Sequence, residues 1–245
     1  MRDLARYQEA YAALPFETEQ LRIRKRKLLE FLRTYRPRSI LEIGCGMDPL
    51  FQHYDDFDYL KIVEPADLFF RNATFLASED HRIEVVSGTL EDNVESLATH
   101  GYDFLIISSL LHEIADPSRI LMSARTLCNA TSIIHVNVPN AWSLHRVLAM
   151  QMGLINDVHQ ISDVQVRMQQ AHTFDIESLA TLAKNCRFRV IDEGTFFIKP
   201  FAHAQMAGLR DSGFLTAQMI DGLYDLSAYL PKFGSEIYMN LMVDL

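Results

Sequence analysis

A chain of 245 residues, 49% of them hydrophobic, suits one domain of ordinary size with material left over for a cap. A formal net charge of −9 argues against a general nucleic-acid binder, whose surface is basic. Cys45, Cys128 and Cys186 lie far apart without Cys-x-x-Cys spacing, which argues against a disulfide framework or a zinc site and fits a reducing compartment. The opening residues Met1-Arg2-Asp3-Leu4-Ala5-Arg6 are charged throughout, so no signal peptide is expected. No run reaches the roughly 18 apolar residues of a membrane span. The expectation is a soluble cytoplasmic protein with no metal site.

Residues 1–36 read as an N-terminal helical segment, with Leu21, Leu28, Leu29 and Leu32 on one face. The run Arg22-Ile23-Arg24-Lys25-Arg26-Lys27 reads as a solvated helix face, or as a contact for an acidic substrate. From residue 37 onward strands and helices alternate. The strands expected at 39–43, 59–63, 82–86, 103–108 and 132–138 are continuous apolar runs, as in strands buried on both faces. Helices are expected near 48–54, 66–77, 91–98 and 117–127, the last opened by Asp116-Pro117. Residues 139–172 show no strand and read as a helical lid after the fifth strand, with Asn140 capping a helix to Gly153 and Trp142, Met150 and Met152 in its core. Asp175 caps a helix of about ten residues, a strand follows at 187–193, 200–233 form a second helical insertion, and Glu236 to Val243 make a final strand. The fold expected is a doubly wound α/β sheet of seven strands, mostly parallel with an antiparallel last strand.

The first strand ends in Gly44-Cys45-Gly46 and the second in Glu64. Strand, glycine turn, helix, strand and acid are how an open parallel sheet holds an adenosine: the glycines let the backbone approach, and the acid takes the ribose hydroxyls. A dinucleotide fingerprint has a third glycine, but here Met47, Asp48 and Pro49 follow. An aspartate at that helix entry repels a pyrophosphate and tolerates a cationic ligand such as S-adenosylmethionine.

Four segments in register, Leu41-Glu42-Ile43-Gly44-Cys45-Gly46, Ile62-Val63-Glu64, Val86-Ser87-Gly88-Thr89-Leu90-Glu91-Asp92 and Tyr102 to Glu113, carry a resemblance. The chain resembles a class I S-adenosylmethionine-dependent methyltransferase, strongly over 36–140 and moderately over 172–195. The segment Val138 to Arg146 resembles a bacterial subgroup associated with surface-glycan or small-metabolite pathways. The resemblance implies a methyltransferase domain over 37–245. It also implies that Glu42, Gly44, Cys45 and Gly46 hold the methionine part of the cofactor and that Glu64 and Pro65 hold the ribose. Thr89, Leu90 and Glu91 would flank the adenine, and Ser108 would line the cofactor at the end of strand four. The acid often found after the third motif's glycine is Thr89 here, which moves the adenine contact to Glu91 or to backbone.

The acceptor pocket should lie between the carboxyl ends of strands four and five and the insertions. His112 is the candidate proton acceptor for a hydroxyl or amine, its pKa range suiting neutral pH. Only one of His112 and Glu113 is expected to face the pocket, because adjacent helical residues diverge. His145 and Arg146, with Arg167, His172, Lys199 and His203, form a polar set that could bind an anionic acceptor, and Glu113 and Asn140 are further substrate-side candidates. The reading that results is methyl transfer to a hydroxyl of a small polar, or anionic, metabolite or sugar, with no nucleic-acid or membrane partner and with a homodimer among the assemblies it allows. Its rivals are N-methylation of an amine, a nicotinamide oxidoreductase and a non-catalytic nucleotide-binding protein of the same fold.

Overall fold

The computed structural model describes residues 14–244. Any helix before Leu14 lies outside the described residues. Helix α1 covers Glu17–Tyr35 and ends at Arg36, whose left-handed backbone donates to Leu32 O. Leu28, Phe31 and Leu32 bury against the sheet. α1 thereby shares a core with the rest of the domain.

Seven strands form one sheet: β1 (Ser39–Ile43), β2 (Tyr59–Glu64), β3 (Ile83–Ser87), β4 (Tyr102–Ser108), β5 (Cys128–Pro139), β6 (Phe188–Phe196) and β7 (Glu236–Val243). Their order is β3-β2-β1-β4-β5-β7-β6. β1 pairs in parallel with both β2 and β4, so the winding reverses there and opens a crevice at the strands' carboxyl ends. β7 runs antiparallel between β5 and β6, as the late strands predict.

The strands are apolar on both faces because helices cover both. Leu41, Ile43, Leu105, Ile107 and Val136 face one layer, which includes α3 (Leu90–Leu97), α4 (Pro117–Thr126) and α7 (Ile176–Asn185). Ile40, Leu60, Ile62, Phe104 and Ile106 face the other, where α1 packs. Asp116 caps α4 with Pro117 at its first position, and Asp175 caps α7 by accepting from Ser178 N at 2.7 Å, both as expected from sequence. Between β2 and β3 lies α2 (Asp67–Leu76). A third cluster joins Phe16 and Ile23 at the start of α1 to Phe197, Met206 and Ile220. It docks α8 (His203–Asp211) and α9 (Ala217–Asp225), the helices of the second insertion, against α1.

Three local expectations are corrected. The helix near 48–54 is a single 3₁₀ turn, Leu50–Gln52, because Pro49 is extended and Leu50 N donates to the Glu42 carboxylate at 3.0 Å. β5 begins at Cys128, four residues earlier than expected, with a register shift opposite Tyr102 and Phe104. The lid helix α5 spans only Leu144–Gln151, and Asn140 does not cap it. Its side chain accepts from Trp142 N at 3.0 Å and donates to Lys232 O and Gly234 O at 3.0 and 2.8 Å, fastening β5 to the loop before β7. Trp142 and Met152 are 44% and 63% exposed, so they are not lid core. The lid ends with α6 (Asp163–Arg167), opened by a capping box between Ser162 and Gln165. No described helix is long and apolar enough to cross a membrane.

Candidate active site

The crevice at the tips of β1, β2 and β4 holds a cavity of about 120 Å³. Gly44 and Gly46 have φ of 76° and 60°, a left-handed region that costs other residues about 1–2 kcal/mol. Their turn is held from both sides: Gly44 N donates to Val63 O at 2.9 Å, and Gly46 N donates to Glu64 Oε2 at 3.1 Å. Glu64 Oε1 accepts from Ala66 N at 2.8 Å. A carboxylate has about four lone-pair sites, so two backbone donors leave acceptor capacity for a diol. Burial pushes the Glu64 and Glu42 carboxyls up, opposed at Glu64 by the Ala66 and Gly46 amides and at Glu42 by the Lys25 ammonium. Two desolvated acids with unused acceptor sites fit a ligand that carries a sulfonium, an ammonium and ribose hydroxyls.

Of the cofactor residues expected from sequence, Glu42, Gly44, Cys45, Gly46, Glu64, Pro65 and Ser108 are brought together around this cavity. Thr89, Leu90 and Glu91 are not on its wall. Thr89 caps α3, its Oγ1 donating to Asp92 Oδ2 at 2.7 Å, and Leu90 is buried in the core. Glu91 lies in the first turn of α3, where the helix dipole favours an acid. Sequence reasoning missed Arg24 and Lys25 of α1, which wall the cavity with Leu21 and Leu28. Lys25 Nζ donates to Asp48 O at 2.7 Å, tying α1 to the glycine turn.

A second chamber of about 670 Å³ adjoins the first, and Arg24, Ser109 and Glu113 line both. Ser109 has a φ of 54° and is held by its amide on Asn137 O at 2.9 Å. Every acceptor residue named from sequence except Arg167 lines this chamber, as does His112. They divide by what already holds them. Arg146 donates to Val158 O at 2.7 Å, to Gln165 Oε1 at 3.1 Å and to Gln160 O, organising the lid from within. Asn140 is the fastener described above. His172 Nε2 lies 3.1 Å from Ala115 O, and its amide donates to His112 O, closing the lid onto the segment after β4. Arg167 is exposed on α6.

Both His112 and Glu113 are buried and face the chamber, against the expectation of one. The reason is local: Leu111–Glu113 is a 3₁₀ turn, not an α-helix, and it brings His112 Nε2 within 3.7 Å of Glu113 Oε1.

Beneath the shared wall runs a buried polar chain with no sequence signature. Ser108 Oγ donates to Asn137 Oδ1 at 2.5 Å, and Asn137 Nδ2 donates to Glu236 Oε2 at 3.2 Å. Glu236 Oε1 accepts from Arg24 Nε at 3.0 Å and Gln20 Nε2 at 2.8 Å, while Arg24 Nη1 donates to Glu17 Oε1 at 2.8 Å. Lys199, 4% exposed, makes no hydrogen bond or ion pair among the described residues. Burial pulls its ammonium down to about 7, with Glu236 opposing and Arg24 reinforcing the shift. His145 and His203 are likewise held neutral by burial and by Lys199.

A doubly wound sheet with a cleft at its switch point, opening onto a larger chamber, is the architecture of nucleoside-binding α/β folds. Residues 16–193 match a family model described as a methyltransferase domain, and the chain belongs to that family. It is a methyltransferase by family. Among solved structures it is similar to the plantazolicin methyltransferase BamL, in complex with a triazolic desmethylPZN analog and SAH. That match has 15% identity and a TM-score of 0.61, covering 99% of this chain and 97% of that one. An S-adenosylmethionine-dependent methyltransferase from Archaeoglobus fulgidus matches at 14% identity and a TM-score of 0.54, covering 89% and 92%. Another from Mesorhizobium loti matches at 12% and 0.52, covering 84% and 90%. At these identities the likeness is one of fold. No curated protein matches the chain.

Proposed function

We propose that the protein transfers a methyl group to a hydroxyl of a small molecule held in the larger chamber, with His112 taking the hydroxyl proton. The observation that carries this reading is the common wall of Arg24, Ser109 and Glu113, where the glycine-turn cavity meets the chamber. When bound, S-adenosylmethionine supplies an electrophilic methyl on a sulfonium, open to in-line displacement. This chain's residues do the rest. Glu42 and Glu64, both on the cavity wall, would set two carboxylates against the ligand's positive and hydroxyl groups. The lid, held by Arg146 and His172, walls one side of the chamber and narrows the acceptor's orientations. His112 sits in the segment that follows β4, beside Glu113, whose carboxylate favours an imidazolium once the proton arrives. The acceptor oxygen would take the methyl that the sulfonium supplies, and His112 would hold the proton that the oxygen gives up.

The test is single-turnover transfer of labelled methyl to a panel of hydroxylated and amino small molecules. Hydroxyl acceptors should be methylated, and His112→Ala should slow transfer roughly 10²- to 10⁴-fold while the affinity for S-adenosylhomocysteine stays within threefold. Methylation confined to amines, or a rate that survives His112→Ala, would refute the assignment.

A further inference from the structure

The larger chamber is chemically two-sided. Leu148, Met152, Leu154 and Val164 of the lid and Phe201 of the second insertion line it and are also solvent-exposed, so they form its mouth. Met152 and Leu154, at 63% and 68% exposure, are large apolar side chains with no structural reason to face water. The same lining includes the buried Lys199 and the half-buried His145 and His203. None of the three makes a hydrogen bond among the described residues, and His145 Nδ1 is fully buried without a partner. An unpaired buried polar group is costly, and His145 Nδ1, on the same wall as the buried Lys199 and the half-buried His203, indicates a ligand that satisfies it.

The charges facing Lys199 decide the ligand's sign. From α1 come Glu17 and Arg24, and from the start of β7 comes Glu236. The turn after β4 adds His112 and Glu113, α5 adds His145 and Arg146, and α8 adds His203. Glu17 and Glu236 are already matched by Arg24, with Gln20 and Asn137 also on Glu236, and Glu113 lies beside His112. Arg146 has no carboxylate partner but is held by three neutral oxygens, which leaves Lys199 as the cation here with neither counter-charge nor hydrogen bond among the described residues. His203 opens α8, and the helix's positive end, with Ala202 to Gln205, lines the same wall.

We propose that the chamber selects an acceptor with an apolar body and an acidic oxygen group, the anion anchored by Lys199, His145 and His203 and the body laid along Leu148, Met152 and Leu154. This rests on the methyltransferase reading and names its substrate class. It also departs from a purely polar acceptor: the mouth would waste apolar surface on a sugar.

Calorimetry on the full chain with S-adenosylhomocysteine present tests it, with octanoate, 1-octanol and octylammonium as probes of equal apolar length. Octanoate should bind at least tenfold tighter than octanol, and octylammonium should bind weakest. Lys199→Met, which keeps the volume and removes the charge, should bring octanoate down to the level of octanol. At pH 8 Lys199 is mostly neutral in the free protein, so the bound anion should draw it back to its charged form. Octanoate binding should therefore take up close to one proton, measured across buffers of different ionisation enthalpy, and the Lys199→Met protein should take up none. Met152→Ser with Leu154→Ser, both on the exposed mouth and safe for folding, should weaken octanoate threefold or more. Octanol binding as well as octanoate, octylammonium binding best, no probe binding while S-adenosylhomocysteine still binds, or an unchanged preference after Lys199→Met each overturn the proposal. Failure of S-adenosylhomocysteine itself to bind would instead strike the methyltransferase reading.

Discussion

Glu64→Gln separates the two tasks this carboxylate performs. In the native turn Glu64 receives Ala66 N at 2.8 Å on one oxygen and Gly46 N at 3.1 Å on the other. Glutamine supplies one oxygen where the carboxylate supplied two. The shorter contact to Ala66 keeps that oxygen, which leaves the amide NH₂ facing the Gly46 N–H, donor against donor. One backbone hydrogen bond of the glycine turn is lost, at about 1–3 kcal/mol. Relief of a buried charge offsets part of that cost, since burial already disfavours the ionised form. The ligand has no such compensation. A charge-assisted bond to one ribose hydroxyl disappears, at about 1.5–3 kcal/mol, so affinity for S-adenosylhomocysteine should fall roughly 10- to 100-fold. Titration calorimetry gives the affinity, and urea denaturation of the ligand-free protein gives the stability. Affinity should drop more than stability. A dissociation constant within threefold of native, in a protein that still folds, would show that Glu64 is not on the nucleoside.

Two further outcomes follow from the same geometry. A Cβ on Gly234 would lie 2.5 Å from Phe196 N and 2.7 Å from Phe196 O, so Gly234→Ala should cost about 2–3 kcal/mol in urea unfolding, whereas Gly101→Ala, which has open space, should stay within about 0.5 kcal/mol; equal effects would refute the close approach of the pre-β7 loop to β6. His135 is fully buried, 2.8 Å from Asn240 Oδ1, and its imidazole is pulled down to about 4 from 6.5 by burial. The unfolded chain takes up this proton first as pH falls, so His135's contribution is intact above pH 6.5 and drains away toward pH 4, by about 3 kcal/mol. His135→Gln should flatten the pH dependence of the urea midpoint across that window, and parallel curves would exclude His135 as its source.

Much of the fold was legible because buried parallel strands advertise themselves as unbroken apolar runs, and because Asp116 and Asp175 cap helices by a local mechanism. The crevice at the glycine turn was legible for the same kind of reason: Gly44 and Gly46 set the backbone at one strand end, and the Glu64 carboxylate at the next strand end accepts from Gly46 N and Ala66 N. What escaped notice depended on tertiary contact. Thr89 reads as an adenine neighbour until its hydroxyl is seen closing α3 with Asp92. Arg24 and Lys25 vanish into a basic run that resembles a solvated face. A signal was present, because Arg24 follows Leu21 by three positions and precedes Leu28 by four, which puts it on the apolar stripe. The chain from Ser108 through Asn137 to Glu236 spans three strands far apart in sequence, and no spacing rule could have joined it.

Arg24 stands in both cavities at once, clamped between Glu17 and Glu236. Whatever occupies one side of that guanidinium is therefore felt electrostatically on the other. A cationic cofactor and an anchored anion would each make the opposite berth more welcoming, and thermodynamics obliges the favour to be mutual and equal in size. Ligands on either side of such a partition would then load as a favoured pair, each within reach of the same guanidinium on the first helix.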